Sequence, residues 1–319
     1  MSNHRAGFEM HRRRFLQTTA AISASCAFPH LAAGQLCPVK PGTVRDRLWV
    51  FCNPVNGDYE YVRKRSVMTP LEGAVYLGVP NMIMVNQYPE RNGRTPLHPG
   101  QDGWYMPWVP PFELYAFPLQ VEKRVVWSIV DAGGVTYDWE RKQVLAMARR
   151  TPNFVGVFMD DFFREEGPKV ASLSVEELRG VQRELKGGSK KLDLYVTFYT
   201  QMLKRPVVEH LKQIDVITYW MGETAEIDRL DANLASLKKL APGSRILLGC
   251  YTADYDGKRT PMWLPLPVAK MKHQCEVGLE WLRQGQIEGI IIYGNFFDLG
   301  WDSITWARDW VQRVGDTKI

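Results

Sequence analysis

A chain of 319 residues with 45% apolar and 24% charged residues has the composition of a soluble globular protein and enough material for a sizeable core. One large domain is the default reading, because α/β barrels reach this length undivided. The formal charge of +5 falls to +2 once the first 34 residues, with Arg5, Arg12, Arg13 and Arg14 against Glu9, are set aside, so no electrostatic footprint for nucleic acid remains.

Those first residues carry a pattern of their own. His11-Arg12-Arg13-Arg14-Phe15-Leu16-Gln17 is followed by a weakly apolar run over 18–28 and by the small residues Ala32, Ala33 and Gly34. The segment resembles a twin-arginine (Tat) signal peptide, in which a polar residue, Arg-Arg, any residue and Phe-Leu precede an apolar stretch. Its apolar run is far shorter than the roughly 18 residues a membrane span needs, so 1–34 is expected to be removed rather than to anchor the chain. The resemblance implies engagement with the Tat export machinery and a periplasmic or secreted protein over 35–319. Ser23-Ala24-Ser25-Cys26 matches a lipoprotein site poorly, since Ser23 stands where a large aliphatic residue is usual. Cys37, Cys52, Cys250 and Cys275 are spaced too widely for a CxxC metal knuckle or a small disulfide scaffold.

Beyond the signal, short β-branched or aromatic runs alternate with longer stretches of helical period, the rhythm of βα units in a parallel sheet. Eight runs are expected as strands: 48–54 (LWVFCNP), 81–86 (NMIMVN), 124–130 (RVVWSIV), 155–161 (VGVFMDD), 192–199 (LDLYVTFY), 215–220 (DVITYW), 245–251 (RILLGCY) and 289–295 (GIIIYGN). Between them, 138–150, 175–186, 227–240, 268–284 and 303–313 repeat apolar residues at three and four and are expected as amphipathic helices. Ser174 before Val175-Glu176-Glu177 reads as an N-cap. Eight strands with intervening helices predict a single-domain parallel (β/α)8 TIM barrel, with an open doubly wound sheet as the rival. The segment 87–111, with Pro, Gly and two Trp, breaks the short-loop rule and is expected as a lid or wall at the barrel mouth.

Active sites of such barrels form where the strands exit at their C-terminal ends. The exits here are polar: Asn53, Asn86 and Gln87, Asp131, Asp160 and Asp161, Thr197 and Tyr199, Trp220 and Glu223, Tyr251 and Asp254, and Tyr293, Asn295 and Asp298. In GVFMDDFF, two adjacent carboxylates close an apolar strand. Alternation allows only one of Asp160 and Asp161 to point straight into the mouth, and parity leaves open which. Cleavage of a glycosidic bond needs two carboxyl groups flanking it, and Glu223 on the sixth strand exit is the preferred partner, ahead of Asp254 and Asp131. Helix caps and salt bridges are the bland alternatives for these acids.

An acidic end to the fourth strand with aromatic exits at Trp220, Tyr251 and Tyr293 resembles TIM-barrel glycoside hydrolases of several clans, whose fourth strand ends in a catalytic carboxylate. The chitinase-type DxxDxDxE pattern is missing, and the paired Asp departs from the Asn-Glu ending of the largest retaining clan. The resemblance implies a carbohydrate substrate, with catalysis by Asp160, Asp161 and Glu223. Asn53, Gln87, Asp131, Tyr251, Asp254 and Asn295 are then expected to bind hydroxyls, and Trp104, Trp108, Trp220 and Tyr293 to stack on sugar faces. No cofactor is expected. His4, His11, His30, His98, His210 and His273 all lie away from strand exits, which speaks against zinc. No nucleophile elbow, phosphate loop or dinucleotide fingerprint is present. A non-catalytic carbohydrate-binding barrel and an oxygen-ligated, metal-dependent sugar isomerase or lyase stay open as alternatives.

Overall fold

In a computed structural model of the chain, the described residues are 42–52, 57–59, 64–66, 68–86, 112–131, 134, 136, 138–256, 263–294 and 297–319. Eight parallel strands close into a barrel: β1 (Leu48–Cys52), β4 (Asn81–Asn86), β5 (Arg124–Asp131), β6 (Phe154–Met159), β7 (Asp193–Tyr199), β8 (Val216–Trp220), β9 (Arg245–Cys250) and β12 (Gly289–Tyr293). Neighbours in the barrel follow chain order, and β1 pairs with both β4 and β12 to complete the ring. Two antiparallel hairpins that periodicity did not predict, β2–β3 (Gly57–Tyr59 with Lys64–Ser66) and β10–β11 (Ala253–Tyr255 with Trp263–Pro265), stand outside the barrel in the segments after β1 and β9.

Each barrel strand is followed by a helix: α1 (Pro70–Leu77), α2 (Glu113–Ala116), α3 (Asp138–Arg150), α4 (Val175–Lys186), α5 (Val208–Leu211), α6 (Leu230–Leu240), α7 (Val268–Arg283) and α8 (Asp302–Val314). The expected helix over 227–240 divides, because 224–229 winds as a 3-10 turn before α6 begins. The Ser174 cap forms as a capping box, its hydroxyl accepting from Glu177 N–H while the Glu177 carboxylate accepts from Ser174 N–H at 2.7 Å. In α8, Ile304, Ala307, Trp310 and Val311 are buried against the barrel, while Trp306 is only partly covered and has the Arg313 guanidinium over its ring. Among the described residues no helix is long and apolar enough to cross a membrane.

The barrel interior is aromatic, and glycines make room for it. Trp49 and Tyr195 meet at 6.0 Å, and above them Phe51 touches Phe158, Trp220 and Tyr293. A Cβ on Gly249 would lie 2.1 Å from the Trp220 ring, one on Gly156 2.7 Å from Tyr195, and one on Gly289 3.1 Å from Trp49 Nε1. Pairing a missing side chain with a large ring on the neighbouring strand fills the barrel with neither void nor overlap. The N-terminal end is closed by charge: Arg245 donates twice to Glu288 and once to Asp193 at 2.6 Å, and Lys186 bridges Asp193 and Asp215 at 3.0 Å. With this end given to ion pairs, the opposite rim is where barrels of this kind carry chemistry.

Candidate functional site

The interior aromatic contacts settle the side-chain parity of β6. Phe158 faces Phe51 inside the barrel, so Asp160 continues the inward series. Asp160 is 7% exposed, and its Oδ1 accepts from Thr197 Oγ1 at 2.8 Å and from the Asp161 backbone N–H at 3.1 Å. Strict alternation would send Asp161 outward. Instead its backbone adopts φ +43°, the only left-handed conformation of a non-glycine among the described residues. The turn swings its carboxylate back to β7, where Oδ1 accepts from Tyr199 Oη at 2.8 Å. Asp tolerates this conformation better than most residues, and the chain has two reasons to adopt it. Phe162 and Phe163 bury directly after it, the latter edge-on to Phe198 at 5.4 Å, and the Asp161 carbonyl packs so closely on Gly134 that a Cβ there would fall 2.4 Å away. Both carboxylates of the pair therefore reach the β7 exit.

Two phenols stand beside them. Tyr251, just past β9, stands close enough to feel the charge of both Asp161 and Asp160. Burial, and then the negative charge of Asp161, holds the Tyr199 phenol well above its ordinary range, and Tyr251 is raised for the same two reasons. Both remain neutral phenols, and Tyr199 donates to Asp161. The Tyr251 ring lies 5.0 Å from Trp220 and 5.3 Å from Tyr293, and Tyr293 stacks nearly parallel on Trp263 of β11, at 8° and 5.7 Å. The wall beside the carboxylates is thus Tyr251, Tyr293 and Trp263. Trp220, 2% exposed, supplies the floor beneath it, with Nε1–H donating to Thr218 Oγ1 at 3.0 Å.

Glu223 is exposed at the entry to the 3-10 turn Thr224–Arg229; its carbonyl accepts from Glu226 N–H, and its side chain makes no capping bond. Asp254, on β10, accepts a short hydrogen bond from Thr224 of the same turn. Asp131 closes β5, but its side chain lies outside what is described, as do the residues Asn53, Gln87, Trp104, Trp108 and Asn295 and the whole of 1–34. Thr197 and Tyr199, read from the sequence as polar exits but given no role there, are the hydrogen-bond donors to the carboxylates, on a strand that alternates inward Tyr195-Thr197-Tyr199; Trp263, in a stretch with no clear period, was absent from the sequence-based set. Gln201, just past β7, seats its amide so close over Gly222 that a Cβ there would overlap it. Among the described residues no three His, Cys, Asp or Glu side chains are grouped to hold a metal ion.

In fold, the chain is similar to glycoside hydrolases built on the parallel eight-stranded barrel. It superposes on a protein assigned as an alpha-L-fucosidase from Bacteroides thetaiotaomicron with a TM-score of 0.56 and 15% identity, over 86% of this chain and 98% of that one. Lower scores relate it to a xylanase–alpha-amylase inhibitor protein crystallised with trehalose (TM-score 0.49, 11% identity, 82% and 97% covered) and to a beta-1,3-glucanosyltransferase from Rhizomucor miehei (0.47, 10%, 77% and 86%). No family model and no curated protein matches the sequence. At these identities the likeness is one of architecture, and function has to be argued from the site.

Proposed function

We propose that this protein is an exported glycoside hydrolase that cleaves a glycosidic bond with carboxylates at the barrel mouth. The observation that carries the reading is the convergence of Asp160 and Asp161 on the β7 hydroxyls, beside an aromatic wall of Tyr251, Tyr293 and Trp263. Hydrogen bonds donated by Thr197 and Tyr199 stabilise ionised carboxylates, as a nucleophile or base requires. Glu223, at the rim and open to solvent, is the proposed partner acid that protonates the departing sugar oxygen. Aromatic faces flanking the carboxylates suit the apolar faces of sugar rings, and the hydroxyls around them suit the ring edges. The Tat-like segment 1–34 supports a periplasmic or secreted location.

The test is single replacement, Asp160→Asn, Asp161→Asn and Glu223→Gln, assayed on a panel of aryl and oligosaccharide glycosides. Loss of a general acid or base is expected to cost about a hundredfold or more in turnover. Undiminished turnover in all three variants ends the hydrolytic mechanism, and sugar binding without turnover by the unaltered protein would make it a binding barrel.

A further inference from the structure

The aromatic wall does not stop at the carboxylates. From Tyr293, 7% exposed at the end of β12, it passes to Trp263 on β11 and on to Tyr255 on β10, whose ring lies 4.9 Å from Trp263 and is 49% exposed. Tyr255 and Trp263 are directly opposed in the β10–β11 ladder and so share one face of the hairpin, while Asp254 and Leu264 occupy the other. A cross-strand aromatic pair stabilises a hairpin by itself, which accounts for the contact between Tyr255 and Trp263. It does not account for the near-parallel seating of Trp263 on Tyr293, which ties the hairpin to the barrel rim. A lone two-stranded hairpin is marginal in water, and this anchor fixes where its aromatic face looks. The result is a graded series of rings, starting at Tyr251, 6.1 Å from Trp263, and ending in solvent at Tyr255.

We propose that Tyr255 and Trp263 form an outer stacking platform for a second and further sugar unit, so that the ligand of this site is a linear oligosaccharide or polysaccharide chain rather than one terminal sugar. The proposal rests on the carbohydrate reading above and adds the length of the ligand and the residues that sense it. A flat amphipathic ring such as Tyr255 offers contact area at little entropic cost, and its half-exposed position leaves one face for a ligand.

The experiment uses the Asp161→Asn variant, so that the probe survives, with probe integrity checked after each titration. Should that variant fail to fold, Glu223→Gln at its exposed position takes its place. Binding is measured by calorimetry against linear hexasaccharides of cellulose, xylan, chitin and mannan and against the matched disaccharides. At least one hexasaccharide is expected to bind about tenfold or more tightly than its disaccharide. Tyr255→Ala abolishes that gain and Tyr255→Phe retains it. A length gain that survives Tyr255→Ala, or the absence of any gain in all four series, overturns the platform. Hydrolysis persisting in both background variants counts against the proposed catalytic acids and leaves the length dependence to be read from KM against chain length in the same Tyr255 variants.

Discussion

Asp161 owes its place at the site to a single backbone angle. With φ at +43° it escapes the alternation that would turn it from the barrel, and Tyr199 then holds its carboxylate at 2.8 Å. Removing that donor while keeping the ring isolates the contribution. Tyr199→Phe is expected to lower kcat/KM about ten- to a hundredfold, the range of one hydrogen bond to a charged group, with the circular dichroism unchanged. A residue remote from the site is expected to govern pH stability instead. Glu122, just before β5, is buried with Oε2 unpartnered, and burial raises its carboxyl from 4.5 to about 7. The folded state therefore keeps a proton that the unfolded chain releases. Stability from this group is full below about pH 4.5 and is lost as the pH rises through about 7. Glu122→Gln removes the loss, so urea unfolding should show the variant gaining on the parent by up to about 3 kcal/mol across that window.

At the scale of elements, strand positions were legible because β-branched and aromatic runs bounded by polar residues admit few other readings. The short α1, α2 and α5 and the two hairpins were not, because four to eight residues carry too little periodicity; in α1 the signal lay in its ends instead, a Thr69–Glu72 capping box with Pro70 at the first turn and Gly78 as left-handed C-cap. Trp263 was missed for want of such periodicity. Glycine weakens a strand interior in general, yet Gly156, Gly249 and Gly289 each lie against an inward ring on an adjacent strand. Gly249→Ala tests this. Its methyl would collide with the Trp220 ring, and a destabilisation of about 1–3 kcal/mol by urea unfolding is expected, together with a shift in tryptophan fluorescence.

For the whole molecule, the two ends of the barrel divide the work. Arg245, Glu288, Asp193 and Lys186 form an ion network at the N-terminal end, while the C-terminal rim gathers two carboxylates, the Thr197 and Tyr199 hydroxyls and a wall of Tyr251, Tyr293 and Trp263. Burial alone would raise the Asp193 carboxyl, but hydrogen bonds from Arg245 and Lys186 outweigh it and hold it below its ordinary range. The proposed export carries its own test at this scale. Replacing Arg12 and Arg13 together by Lys is expected to leave the protein unprocessed in the cytoplasm, whereas the unaltered chain yields a shortened periplasmic or secreted form, distinguished by fractionation and mass spectrometry. Equal export of both chains would remove the twin-arginine route.

By itself the sequence determined the count and order of the eight strands, the capping of α4 and the exit where carboxylates cluster, because hydrophobic period and local hydrogen-bonding chemistry are written in adjacent residues. Only the tertiary structure decided that Asp160 and Asp161 both turn to β7, that Trp220 is floor and Trp263 is wall, and that Glu223 stands open to solvent. Those outcomes depend on which strand lies beside which, and on one left-handed turn at Asp161, set between buried Phe162 and Phe163 and the close packing of its carbonyl on Gly134, relations between residues far apart in the chain that no local pattern encodes.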